Sequence, residues 1–303
     1  MQDDVRANAS RLPSGGLIHL QARVADLGSL LGPTWASLCG VLASNAFRWE
    51  RGDYVKLPLL LLLVDGGWGT IWAALAGTDW SIPVQRWRDW EKNRPAVSLP
   101  YTLPGTVGDR LSRWMGRIEA WRRSILWPTC GPAVQALAVG LPLTALMGGM
   151  LGPELLLLSA AALALMEMGL LWTGGHRAVP AGWDGVVGIA LPWMAGHLTF
   201  GNLTLPSTAF ALLLALAWAG AWSPRSAGGK VLILTQLSVA AGLVVLQQPL
   251  SACLLLLALM PQVALLPWAS RQPRAQSSLP VGRFVDYTRP WLMGVMLVAA
   301  LVL

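Results

Sequence analysis

The sequence predicts an all-α polytopic membrane bundle of about nine transmembrane helices, with its N-terminus on the cytoplasmic side. Composition, run length and the placement of basic residues carry that expectation. Hydrophobic residues make up 54% and charged residues 12% of 303 positions, whereas charge is about a quarter of an ordinary soluble domain. In lipid the backbone must satisfy its own hydrogen bonds, so a helix of about 20 apolar residues is the natural crossing unit. Basic loops remain on the cytoplasmic side, and the long loops here alternate between basic and nearly bare.

Residues 1–26 carry Asp3 and Asp4 near the start and no apolar core, unlike a signal peptide, and are expected on the cytoplasmic face. Spans are then expected at 28–47, 54–77, 131–150, 153–173, 183–200, 204–222, 230–247, 249–268 and 287–303. The loop after the second span holds nine arginines and lysines, from Arg86 to Arg123. Arg177 follows the fourth span, Arg225 and Lys230 the sixth, and Arg271, Arg274 and Arg283 precede the ninth. On the other side only RWERGDYVK has bases, offset by Glu50 and Asp53. This pattern accounts for the net charge of +7 as topology and attraction to anionic headgroups, not nucleic-acid binding.

The chain is expected to form one domain, 1–303, interrupted by a cytoplasmic insert at 78–130. Within the insert, about 109–126 place Leu111, Trp114, Met115, Ile118 and Trp121 at helical spacing among arginines, an interfacial-helix pattern. An acidic docking partner is the alternative reading of that stretch. No repeat of solenoid or transporter type is apparent. Cys39, Cys130 and Cys253 have no metal-ligand spacing and suit small buried hydrophobes.

Charges inside spans suggest function, since a carboxylate at mid-bilayer costs roughly 2.5 to 3.5 kcal/mol. Asp65, in LLLLLVDGGWGTIW, and Glu167, in ALALMEMGLLW, are singled out on this ground. Each either lines a polar pocket or is hydrogen-bonded between helices. The glycines around Asp65 allow close approach of a helix or a flat ligand, with Trp68 beside them. His197, in PWMAGHLTFGN with Trp193, is a candidate axial ligand of a tetrapyrrole metal or a hydrogen-bonded core histidine. No nucleophile is paired with a base, which disfavours hydrolase chemistry.

Three stretches together resemble a known family. LGPTWASLCGVLASNAFRW resembles the first span of chlorophyll and bacteriochlorophyll synthases, members of the UbiA superfamily of intramembrane prenyltransferases. GWDGVVGIALPWMAGHLTFGNLT resembles their fifth span, and the ends of TDWSIPVQRWRDWEKNRP resemble the ends of their first aspartate-rich motif. The resemblance implies a prenyl diphosphate held through magnesium by two such motifs, one after span two and one after span six. A chlorophyllide propionate would be the acceptor.

Position by position, Asp79, Trp80, Asn93, Arg94 and Pro95 match the first motif, and Thr78 replaces an asparagine. Ile82 or Pro83, and then Arg86, stand where the next two aspartates are expected. Asp89 does not substitute, because ten helical residues separate it from Asp79 by about 15 Å. The loop after span six, AWSPRSAGGK, has no carboxylate. WTGGHRAVPAGW offers Trp172, His176 and Arg177 where relatives hold diphosphate.

The resemblance therefore implies a catalytically degenerate relative. Asp79, Asn93 and Arg94 would be catalytic remnants; Arg94, His176 and Arg177 would form an anion site. Asp65, Trp68, Glu167, Trp193 and His197 would line a cavity for a chlorophyll-type pigment, carotenoid or isoprenoid lipid. Its partners would be the bilayer of a bacterial inner membrane and subunits of a photosynthetic complex. The alternative is an active prenyltransferase using magnesium.

Overall fold

The computed structural model of the protein describes residues 32–48, 50–91, 103, 105–175, 181–222, 227–271 and 279–303. The described residues are almost wholly helical and include no strand. In chain order the helices are α1 (Pro33–Ala43), α2 (Arg51–Leu61), α3 (Gly69–Gly77), α4 (Ser81–Glu91), α5 (Val107–Trp121), α6 (Trp127–Leu151) and α7 (Pro153–Trp172). There follow α8 (Ala181–Gly185), α9 (Leu191–Phe200), α10 (Leu205–Ala221), α11 (Gly228–Val245), α12 (Pro249–Arg271) and α13 (Leu279–Val302). Wider π-helical turns at Leu62–Trp68, Arg122–Leu126 and Val186–Ala190 join α2 to α3, α5 to α6 and α8 to α9 without a break.

Among the described residues six helical runs are long and apolar enough to cross a membrane: Gly52–Gly77, Val107–Leu151, Pro153–Trp172, Gly228–Val245, Pro249–Pro267 and Phe284–Val302. Helices α1 and α10 are apolar but shorter. The first expected span, 28–47, is thus cut back where it is described, since α1 ends at Ala43. Ser44 donates its hydroxyl to the Val41 carbonyl, its oxygen accepts from the Ala46 amide, and Asn45 turns into the left-handed region at φ 51°. The amphipathic stretch expected at about 109–126 is helical in this structure. It begins at Val107, where Thr106 accepts from the Asp109 amide as an N-cap, and continues unbroken into α6. Residues 1–31 lie outside the described residues.

Packing follows chain order from α3 through α6, α7, α9, α10, α11, α12 and α13, and α13 returns to α1. The closest crossing is between α1 and α9. A Cβ at Gly40 would collide with the Trp193 carbonyl, and one at Gly196 with the Ser37 carbonyl, so the two backbones touch through reciprocal glycines. These two helices supply residues to both large apolar clusters. One gathers Ala36, Cys39, Trp193, Phe210, Leu243 and Val295; the other gathers Val41, Leu63, Trp68, Met166 and Leu191. Helices α6 and α7 form a hairpin through Gly152, whose φ of 138° favours glycine. Between α11 and α12 the buried amides of Gln236 and Gln262 exchange hydrogen bonds of 2.8 and 3.2 Å.

Candidate functional site

A cavity of about 390 Å³ is lined by Pro33, Val64, Trp68, Trp72, Asp184, Gly188, Trp218, Trp222 and Arg289, with Gly32, Gly69, Val187 and Ile189 completing its wall. It joins the first residues of α1, the middle of the α2–α3 run, the start of the α8–α9 run, the end of α10 and the first half of α13. Its size falls in the range of about 300–1,000 Å³ usual for small-molecule sites.

Two π-helical turns face each other across this space. Leu62–Trp68 brings Val64 and Trp68 to the wall, and Val186–Ala190 brings Val187, Gly188 and Ile189. A π turn inserts one residue and so re-aims the side chains that follow, which is why such turns recur at sites. Trp72 follows Trp68 by four residues and lies on the same helical face. Its indole N–H donates to Asp184 Oδ1 at 3.0 Å. Trp218 and Trp222 form a second pair at the same spacing, edge to face with centroids 6.3 Å apart. The Arg289 guanidinium lies 5.5 Å from the Trp218 ring centroid, within cation–π range. Trp68 is almost fully buried, and its N–H finds no acceptor among the described residues. The wall thus offers four indoles, one oriented carboxylate, one guanidinium and one spare donor.

Of the residues the sequence singles out, Trp68 reaches this cavity. Asp65 is buried within the π turn but is not on the wall. Trp193 is in the apolar core, and its N–H donates to Ser207 Oγ at 2.9 Å. That hydroxyl meets His197 Nδ1 at 3.0 Å, and His197 Nε2 lies 2.8 Å from the Asn202 carbonyl. Both ring nitrogens are engaged within the protein, so His197 serves as a core pin and offers no lone pair for axial ligation. Glu167 is exposed on the outward side of α7, away from the cavity. Asp79 Oδ1 accepts from the Ser81 amide at 3.1 Å and its hydroxyl at 2.5 Å, shaping the turn into α4. The adjoining Trp80 amide donates to the Gly175 carbonyl at 3.0 Å, docking this turn on the end of α7. Asn93, Arg94, His176 and Arg177 lie outside the described residues.

Sequence reasoning passed over Asp184, Arg289, Trp72, Trp218 and Trp222. The signals were present: two tryptophan pairs spaced by four, and two charges just inside expected spans five and nine. Charges near span ends are cheap in the headgroup region, which made them inconspicuous.

The donor set does not suit magnesium. That ion requires near-octahedral oxygen ligation at about 2.0–2.1 Å. Asp184 is the single carboxylate on the cavity wall and shares it with Arg289. Among the described residues no three of His, Cys, Asp and Glu gather into a metal-binding group. The geometry fits instead a flat or extended conjugated molecule, stacked on indole faces, with an acceptor for Trp68 and an anionic group for Arg289. Comparison with family models, curated proteins and solved structures finds no match for this chain.

Proposed function

We propose that this protein is a membrane-embedded ligand holder, related to the chlorophyll-synthase branch of UbiA proteins but without magnesium-dependent transfer. In this reading the cavity takes a (bacterio)chlorophyll-type ring, a carotenoid or an isoprenoid chain. The protein acts as an assembly or structural subunit beside a photosynthetic complex in a bacterial inner membrane. The chain crosses nine times, α1 and α10 included, with its N-terminus inside, so the cavity opens towards the cytoplasm.

The observation that carries this reading is the four-indole cavity containing Arg289 and the unmatched Trp68 N–H. A buried donor without an acceptor costs about 1–3 kcal/mol, a cost a ligand oxygen or ring nitrogen removes. Indole faces accept flat rings and polyenes without demanding one functional group. Arg289 adds selectivity for a carboxylate or phosphate.

The test is the absorption spectrum and extract mass of protein purified from native membranes. A conjugated or isoprenoid molecule is expected near one per chain, with loading cut at least severalfold in Trp68→Phe and Arg289→Gln. A ligand-free preparation, or full loading in both variants, would overturn the proposal. Incubation with geranylgeranyl diphosphate, a chlorophyllide and magnesium tests the transferase alternative. Turnover abolished by Asp79→Ala would establish it instead.

A further inference from the structure

A second cavity, of about 250 Å³, lies where the amphipathic helix α5 passes into the apolar helix α6. Among the described residues its wall is Arg122, Arg123 and Trp127, none of which borders the four-indole cavity. The π turn at Arg122–Leu126 is what gathers them. In a regular α-helix Arg123 would lie one turn from Trp127, and Arg122 would point round to another face. Here the Trp127 amide donates to the Arg122 carbonyl, five residues back, and the widened turn keeps both arginines beside the indole.

Each part of this wall is held by a neighbour. Glu119 Oε1 accepts from Arg122 Nη2 at 2.8 Å and from Arg123 Nε at 2.6 Å, which fixes two like charges side by side. The three groups sum to one positive charge, and each guanidinium commits one of its several N–H groups to Glu119. The Trp127 ring rests on Gly131, with ring carbons 3.6 Å from where a Cβ would stand. Paired guanidinium forks suit the oxygens of a phosphate group. Depth points to its source. Helix α6 runs 25 residues from Trp127, about 38 Å at 1.5 Å per residue, against a hydrocarbon layer of about 30 Å. Trp127 therefore stands at the membrane boundary, the level tryptophan favours. Arg122 and Arg123 lie about one turn further out, among the lipid phosphates.

We infer that this cavity binds the phosphate group of one anionic glycerophospholipid, with Arg122 and Arg123 on the phosphate oxygens and the start of an acyl chain over Trp127. A net charge of plus one matches a headgroup whose only charge is its phosphate. The ammonium of a zwitterionic lipid finds no partner here, because Glu119 already faces the two arginines. A free phosphate ion gains the same hydrogen bonds but not the apolar contact with the indole. The bound lipid pins the α5–α6 junction to one leaflet, whatever the four-indole cavity holds.

The delipidated full chain in a neutral detergent is titrated with dioctanoyl phosphatidylglycerol, dioctanoyl phosphatidylcholine or inorganic phosphate, and adducts are counted by native mass spectrometry. One tightly bound phosphatidylglycerol per chain is expected, held about tenfold or more tighter than phosphatidylcholine and retained in excess inorganic phosphate. Arg122→Gln together with Arg123→Gln weakens that adduct about tenfold or more, and Trp127→Ala weakens it severalfold. Arg110→Gln together with Arg113→Gln removes the same charge from elsewhere on α5 and leaves the adduct unchanged. Equal weakening by the two arginine pairs would reduce the site to diffuse attraction. Equal binding of phosphatidylcholine, or displacement of the lipid by inorganic phosphate, would likewise defeat the assignment.

Discussion

Ser207 has a larger role than its size suggests. Its hydroxyl accepts from Trp193 Nε1 and meets His197 Nδ1, and all three side chains are buried. Ser207→Ala strands an indole N–H and an imidazole nitrogen together. A loss of about 1–3 kcal/mol is expected, seen as a lower thermal midpoint in detergent, with cavity loading unchanged. At this scale the sequence was half legible. It singled out His197, and Trp193 among the cavity residues, but periodicity gives no sign of which polar neighbour a buried ring will meet. Asp79 is similar: its chemistry permits metal binding, and local hydrogen bonding to Ser81 directs it to shaping a turn. Asp184 and Arg289 were missed because a charge two or three residues inside a span is unremarkable until the fold brings both to one cavity.

At the scale of elements, α5 is held by side-chain pairs along its outer surface. Glu119 Oε1 accepts from Arg122 at 2.8 Å and from Arg123 at 2.6 Å, the favourable order for a helix. Hydrogen bonds from Arg122 and then Arg123 hold its carboxyl below the usual glutamate range. A depressed pKa stabilises the folded form above the unfolded value of about 4.3 and loses that contribution as pH falls through the folded value. Amide protection around residues 115–126, measured as exchange relative to the unstructured rate at each pH, should therefore begin to fall below about pH 4.3, and Glu119→Gln should remove that fall. The π turn at Leu62–Trp68 invites a different experiment. Deleting Gly66 restores regular α register and rotates Trp68 by about 100°. Helix content by circular dichroism should persist while bound ligand is lost. Neither π turn on the cavity was predictable, because a one-residue insertion leaves hydrophobic runs intact. Element positions were more legible, since long apolar runs leave a helix no competitor in lipid.

For the molecule as a whole, the α1–α9 crossing contributes residues to both large apolar clusters. Gly40→Leu sets a side chain against the Trp193 carbonyl, a backbone atom that no rotamer change can move aside. The cost should exceed the 1–3 kcal/mol typical of overpacking, and loss of folded protein by size-exclusion profile is the expected readout. Gln236 and Gln262 clip the other side of the bundle. Either single change to Leu strands a buried amide and should cost about 1 kcal/mol or more, whereas the double change should recover much of that loss. The general plan was readable from hydropathy alone. The glycine crossing was not, because close approach depends on which faces meet, and one chain does not state its neighbours.

The uninterrupted rod from Val107 to Leu151 spans 45 residues, about 68 Å at 1.5 Å per residue, against a hydrocarbon layer of about 30 Å. More than half of it must therefore stand clear of the acyl chains or lean steeply through the headgroups. A fluorophore at Val107, quenched by a dye confined to the bilayer surface, would act as an inclinometer: faint when the mast lies down, bright when it rises.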